Sequence, residues 1–330
     1  MSKRANIVII GNVPPPVGGV TIHVRRLLDY MDRKKIMYDY IEISYKGVLS
    51  SLFRILTTRK KTVFHVQACN VYLKQLLAVA CKLNHKAIFV NTLHGNLGVF
   101  DKRHNKIERR GLKWSNYPIL LNKGSFDTVR KFNPNAKLLV AFIPPIVEET
   151  LPEEVIGQLI EFKRKYSYIC ATNAAAFVYD INGNETYGGL SLVNIFSKLA
   201  QDKIGLVFTD PTKAYLEEVR KIYGSVPDNI MFTGGVPFYQ IIRNCDCLIR
   251  FTSKDGDSLS IREALFLGKV VVATDVVSRP EGVNLVKYGN ESALVEIVKQ
   301  IASNPNEHNN HEMTNGAVQL TELYKNILGS

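Results

Sequence analysis

Two carboxylates eight residues apart, Asp255 and Glu263, flank a polar loop and the start of an expected helix, an arrangement able to hold hydroxyl groups beside an anion. The run before them, residues 247–251 (CLIRF), is apolar enough for a buried strand. Gly256 and Ser258 are small, so a ligand could approach the loop backbone closely. A helix opening at about Ser260 turns unpaired N–H groups and the positive end of its dipole toward that ligand. A carboxylate only accepts hydrogen bonds and can take two from a vicinal diol, which suits sugar or ribose hydroxyls. The spacing alone leaves a plainer reading open, with Glu263 a helix-start acid and Asp255 and Asp257 turn formers. Two other places carry suitable groups. Gly18 and Gly19 follow the first apolar run and precede His23, and His94 ends another run in Asn91-Thr92-Leu93-His94-Gly95, where it reads as exposed. A Gly/Pro turn with structural histidines fits those residues as well.

The elements that must position these groups alternate along the chain. Residues 5–11 (ANIVIIG), 63–66, 87–92, 119–121 and 138–143 read as strands, with helices over residues 71–83 and 125–132 and an amphipathic helix carrying Ile22, Val24, Leu27, Leu28 and Met31. A proline-rich, charged stretch, residues 144–152, reads as a linker. Strands then resume at residues 168–171, 205–209, 230–232, 247–251 and 270–273, with helices near 191–200, 214–223, 236–244 and 260–267. Residues 304–315 read as a polar loop and residues 317–327 as a last helix. Strands alternating with helices imply α/β architecture with doubly wound parallel sheets. At 330 residues there is room for two such domains.

The segment from Arg250 to Val283 resembles the glutamate-x7-glutamate region of glycosyltransferase family 4. It is most similar to the variant in which Arg-x-Thr (Arg250 to Thr252), Asp-Gly-Asp-Ser (255–258), Arg-Glu-Ala (262–264) and Arg-Pro-x-Gly-Val (279–283) follow one another. Gly18-Gly19-x-x-x-His23 and Thr92-x-His94-Gly95 match two N-terminal motifs of the same family. The resemblance implies a GT-B fold, two Rossmann-like domains facing across a cleft. Residues 1–147 would meet the acceptor and residues 148–316 the nucleotide-sugar donor, with a final helix, about 317–330, crossing back. It also implies retaining transfer without a metal or other cofactor. Glu263 would hold the ribose hydroxyls, Asp255 would lie near the transferred sugar in place of the first glutamate, and Ser258 and Leu259 would offer amides to the diphosphate. Thr252, Gly256, Arg262, Arg279, Gly18 and Gly19 would line the donor site, with His94 reaching the donor sugar and His23 on the acceptor side. One departure stands out. The Arg and Lys that clamp the diphosphate in the family are absent from Ala171-Thr172-Asn173-Ala174 and Tyr187-Gly188-Gly189-Leu190, and Arg250 is the expected substitute.

Charge divides the chain. Residues 1–150 hold 25 Lys/Arg against 9 Asp/Glu, a net +16, whereas residues 151–330 hold 17 against 21, a net −4. The basic half is expected to meet something anionic, a phospholipid surface, a lipid-linked diphosphate or a nucleic acid. In residues 48–61 (VLSSLFRILTTRKK), Leu49, Leu52, Phe53 and Leu56 fall at helical spacing beside cations, as in an interfacial helix, and residues 114–117 read as another exposed mixture. The cations are not interleaved with stacking aromatics, which argues against nucleic acid. Gly11-x6-Gly18-Gly19 is not a dinucleotide fingerprint, which argues against a dehydrogenase. The five cysteines are scattered and fit a reducing compartment, with Cys245 and Cys247 expected on one side of a strand as core filler. The first apolar stretch is too short for a signal peptide, and no 18 apolar residues run together. The expectation is a cytoplasmic protein, peripheral on the inner face of the cell membrane, that adds a sugar to a lipid-linked glycan in bacterial-type surface polysaccharide synthesis. The alternatives are a sugar-nucleotide epimerase of GT-B fold and a nucleic-acid-binding protein.

Overall fold

Short apolar, β-branched runs buried on both faces form every central strand, the pattern expected when helices cover a parallel sheet on both sides. The computed structural model describes residues 5–16, 18–147, 149–180, 182–256, 258–304 and 314–329. Asp257, Glu148 and most of the polar loop before the last helix lie outside the described residues. Two units are present, Met1–Val147 with Thr314–Ser330, and Glu148–Met313.

Unit 1 runs β1 (Ile7–Gly11), α1 (Gly19–Arg33), β2 (Asp39–Glu42), α2 (Tyr45–Thr57), β3 (Thr62–Gln67), α3 (Val71–Leu83), β4 (Ala87–Leu93), α4 (Lys102–Trp114), β5 (Tyr117–Leu120), α5 (Lys123–Arg130) and β6 (Lys137–Leu138). Its sheet order is β2-β1-β3-β4-β5-β6, all parallel. Unit 2 runs α6 (Glu153–Lys165), β7 (Tyr168–Asn173), α7 (Gly189–Lys198), β8 (Ile204–Thr209), α8 (Ala214–Tyr223), β9 (Ile230–Thr233), α9 (Phe238–Arg243), β10 (Cys247–Arg250), α10 (Leu259–Phe266), β11 (Val270–Thr274), β12 (Val283–Val286) and α11 (Glu291–Ser303). Its order is β12-β11-β10-β7-β8-β9, again parallel. The last helix, α12 (Gly316–Gly329), belongs to unit 1.

The alternation of strand residues separates the layers. In unit 1, Ile7 and Ile9 pack with α1 and α12, while Val8 and Ile10 pack with α2 and α3. Ala317, Leu320, Tyr324 and Ile327 bury one stripe of α12 in the first of these layers, and the Tyr324 hydroxyl shares a hydrogen bond with His65 Nδ1 on β3. In unit 2, Cys247 and Ile249 face α7 and α11, while Leu248 faces α10.

Several sequence expectations need correction. The strand expected over residues 138–143 is only the two-residue β6. The unit boundary falls inside the expected linker, but the helix that follows it, α6, was not anticipated; its Leu159 and Phe162 pack with Leu151 within unit 2. β2, α4, β12 and α11 were not anticipated, because their polar faces dilute the apolar period. Cys245 and Cys247 do not share a side: Cys245 precedes the strand and packs toward α6 and α9, Cys247 toward α7.

Tyr324→Ala is expected to lower the stability of unit 1 by about 3–5 kcal/mol through the cavity it leaves. Tyr324→Phe, which only strands His65 Nδ1, should cost about 1–3 kcal/mol. Trp114 is the single tryptophan and lies in unit 1, so denaturant unfolding followed by its fluorescence checks both values.

Candidate functional site

The carboxyl ends of parallel strands are where ligands meet an open α/β sheet. In unit 2 the end of β10 carries Arg250, and the loop that follows returns Asp255 to it: Arg250 Nε donates to Asp255 Oδ2 at 3.2 Å and Nη2 to Oδ1 at 3.1 Å. Arg279, from the segment after β11, donates from Nη1 to Asp255 Oδ2 at 2.8 Å and from Nε to the Thr274 carbonyl at 2.9 Å. The three side chains are 11%, 8% and 2% exposed for Arg250, Asp255 and Arg279. Burial by itself would raise the Asp255 pKa, but the two guanidiniums outweigh it and hold the carboxyl below its usual value. Two cations share one anion, so the triplet keeps a net positive charge. Arg279 Nη2 is buried and, among the described residues, has no hydrogen-bond partner.

Asp255 therefore presents no open oxygen in this arrangement. The resemblance implies a place near the transferred sugar; in the structure both oxygens of Asp255 are engaged by Arg250, Arg279 and the Gly256 N–H. Arg250 is held further by Asn173, whose carbonyl and Oδ1 lie 3.3 and 3.4 Å from Nη1, and by the Tyr187 ring 5.3 Å below its guanidinium. Where the resemblance leads one to expect a lysine, this chain places an aromatic ring beneath Arg250 from another strand.

The next position shows why a cation is missing there. Glu185 accepts from the Gly189 and Leu190 N–H groups at the start of α7, so the chain's own carboxylate fills that anion site. Gly188 has φ +60 and an added Cβ would lie 2.2 Å from the Phe251 carbonyl oxygen, which fixes glycine at this cap.

Glu263 is buried on α10, the fifth residue of a helix that begins at Leu259. It lies beyond the first turn, so the dipole does not account for it. Arg262, half-buried, neighbours it on the helix. Ser258 is the N-cap but makes no side-chain cap bond; its hydroxyl instead meets Ser260 Oγ at 2.9 Å. Gly256 donates its N–H to Asp255 Oδ1 at 3.0 Å. Thr252, read as a donor contact, is buried and its carbonyl accepts from Thr274 Oγ1 at 2.8 Å.

In unit 1, His23 on α1 and His94 after β4 meet edge to face with ring centroids 5.1 Å apart. The carbonyl of Ala141 can only accept, so His23 Nδ1 donates to it at 2.9 Å and Nε2 carries a lone pair, buried and without a partner among the described residues. His94 is half-buried rather than exposed, with Nε2 2.6 Å from Gln67 Oε1 at the end of β3. Burial holds the His23 pKa down at about 4 and that of His94 well below its usual value. Lys74 Nζ, buried on α3, donates to the Thr92 carbonyl at 2.9 Å, and burial lowers its pKa to about 8. The cluster thus combines neutral imidazoles and an amide with Lys74, which at a pKa of about 8 remains largely charged at neutral pH. Gly18 and Gly19 are not forced by backbone or packing: Gly18 is extended, and an added Cβ at Gly19 would meet nothing within 4 Å. Sequence reasoning missed Gln67, Tyr187 and Glu185. A polar residue closing the apolar run of β3 was the available signal for Gln67. Among the described residues no three His, Cys, Asp or Glu side chains converge as a metal would require.

Residues 184–304, within unit 2, match the family described as Glycosyl transferases group 1. Structural neighbours cover both units. A glycosyltransferase from Rickettsia africae ESF-5 superposes with a TM-score of 0.68 at 14% identity, covering 99% of each chain. A sucrose-phosphate synthase from Thermosynechococcus elongatus gives 0.70 at 15%, covering 99% of this chain and 100% of the other. An E. coli structure described as trehalose-6-phosphate bound with UDP-2-fluoro glucose gives 0.61 at 11%, covering 98% and 96%. No curated protein sequence matches the chain. The fold is GT-B, and with the family match in unit 2 the chain is a glycosyltransferase.

Two outcomes test this geometry. Asp255→Ala leaves two buried guanidiniums facing each other and should cost unit 2 about 3–5 kcal/mol, a loss that added pyrophosphate partly restores; a neutral effect would show the triplet to be unimportant. The second concerns pH. The folded His23 value of about 4 lies below the ordinary 6.5, so the unfolded chain takes up a proton that the folded chain refuses. Its contribution is complete above pH 6.5 and is lost as pH falls toward 4, about 3 kcal/mol over that span. Unfolding measured across this range should show His23→Gln reducing proton uptake by about one.

Proposed function

We propose that the chain is a retaining glycosyltransferase that moves a sugar from a nucleotide-sugar donor, bound by unit 2, to a glycan acceptor on a lipid diphosphate carrier, without a metal cofactor. The single observation behind the donor assignment is the triplet of Arg250, Asp255 and Arg279, a buried cationic cluster beside the start of α10, in the segment that matches the family. A nucleoside diphosphate is the anion such a cluster suits, and its charge grows as the sugar departs. The amides of Ser258 and Leu259 lie at the start of α10, where the helix dipole adds to the arginines. Glu263 accepts hydrogen bonds from the ribose hydroxyls. With no carboxylate of Asp255 free to act as nucleophile, the reading favours displacement on one face of the sugar, the leaving diphosphate taking the proton of the acceptor hydroxyl. His94 and His23, neutral and hydrogen-bonding, suit sugar hydroxyls on the unit 1 side. A lipid-borne acceptor places the protein on the inner face of the membrane and in surface polysaccharide synthesis, which the +16 charge of residues 1–150 supports.

Calorimetric titration with uridine, guanosine and adenosine diphosphates, and with the matching nucleosides, tests the donor site. Glu263→Ala should weaken both nucleotide and nucleoside by about 10- to 100-fold. Arg250→Ala should weaken the diphosphate far more than the nucleoside. Unchanged affinity in the first variant, or equal losses in the second, would overturn the assignments, and an inverted product anomer read by NMR would overturn the retaining course.

A further inference from the structure

Unit 1 exposes cations on α1 and α5 and most densely on α4, which neighbours α3 in one helical layer. α2 and α3 cover the same side of the sheet, packed on Val8, Ile10, Phe64 and Val66, and α4 lies next to α3. On α2, Tyr45, Leu49, Phe53 and Leu56 are exposed at helical spacing, Phe53 at 65%. Leu52 instead turns inward onto the layer beneath. On α3, Tyr72, Leu76, Val79 and Leu83 repeat the pattern, Leu83 at 75%. Both helices are therefore apolar on the buried side and again on the outer side. A helix that only packs on a sheet has no need of a second stripe.

Cations surround these stripes. Residues 43–100 contain no Asp or Glu and eight Lys or Arg. α4 exposes Lys106, Arg109, Arg110 and Lys113, and its one acid, Glu108, is buried. Trp114, half-buried where α4 ends, lies beneath Lys82 Nζ at 5.2 Å and Arg110 at 5.7 Å from its ring centre. The ring joins the apolar stripe of α3 to the basic helix. Neighbouring exposed apolar stripes with a cationic margin and no acid in between fit a surface that is apolar below and anionic above.

We propose that the outer face of α2, α3 and α4 docks unit 1 on an anionic phospholipid surface, with Phe53 and Leu76 entering the acyl boundary and Arg109 and Arg110 meeting the headgroups. This deepens the reading of a lipid-borne acceptor and rests on it for its purpose, but not for its test. No described helix is long and apolar enough to span a membrane, so attachment by this face is reversible and salt-sensitive.

The test is sedimentation of the full chain with vesicles of phosphatidylglycerol or phosphatidylcholine that carry no glycan. Binding should require the anionic lipid and weaken about tenfold as salt rises from about 0.05 to about 0.5 M. The double variants Phe53→Ser/Leu76→Ser and Arg109→Gln/Arg110→Gln should each weaken it at least about tenfold, with nucleotide binding by unit 2 unchanged. Equal recovery in the supernatant with both vesicle types would overturn the proposal. So would self-association of the free chain, seen by light scattering and abolished by Phe53→Ser/Leu76→Ser, which would assign the face to a second copy. Failure to bind vesicles while nucleotide binding persists sinks only this surface; loss of nucleotide binding by the unaltered chain sinks only the transferase reading.

Discussion

One buried carboxylate between two guanidiniums organises unit 2. Asp255 joins Arg250 at the end of β10 to Arg279 beyond β11, so the two loops that leave neighbouring strands are tied at a single point. Neither arginine could be buried there alone, since a desolvated guanidinium without a partner is strongly unfavourable. Neither could the acid hold both and remain available as a free base. The electrostatic remainder is positive, in a segment whose following helix starts with unpaired amides, and an anion is what both features accept.

The same half also removes an anion site that the fold would otherwise offer. At α7 the N-terminal amides are taken by Glu185, and Tyr187 supplies a ring under Arg250 where a cation is expected. The start of α7 is closed by an internal acid, and the cations of this region come from β10 and the segment after β11.

Unit 1 shows the opposite arrangement. It holds His23 on α1, His65 within β3 and His94 after β4, all kept neutral by burial, together with Gln67 and Lys74, whose pKa burial lowers to about 8. Such a cluster offers neutral hydrogen-bonding groups beside one buried ammonium. Most of the basic residues that dominate its composition are exposed on helix surfaces, α1, α4 and α5 among them, so the average charge of the half says little about this cluster.

Much of this was legible in the residues themselves. Apolar runs of β-branched residues marked most of the strands, because a sheet covered on both faces leaves no polar alternation, and the motif from Arg250 to Val283 drew the donor residues into one segment. Sequence could not show that Asp255 spends both oxygens on arginines, since Arg279 lies 24 residues away and only the pairing of β10 with β11 brings it near. Nor could it separate the faces of α2 and α3: a stripe of leucines reads the same whether it meets a core or the solvent. That choice is made by the sheet beneath, which can bury only one side of each helix and leaves the other outside.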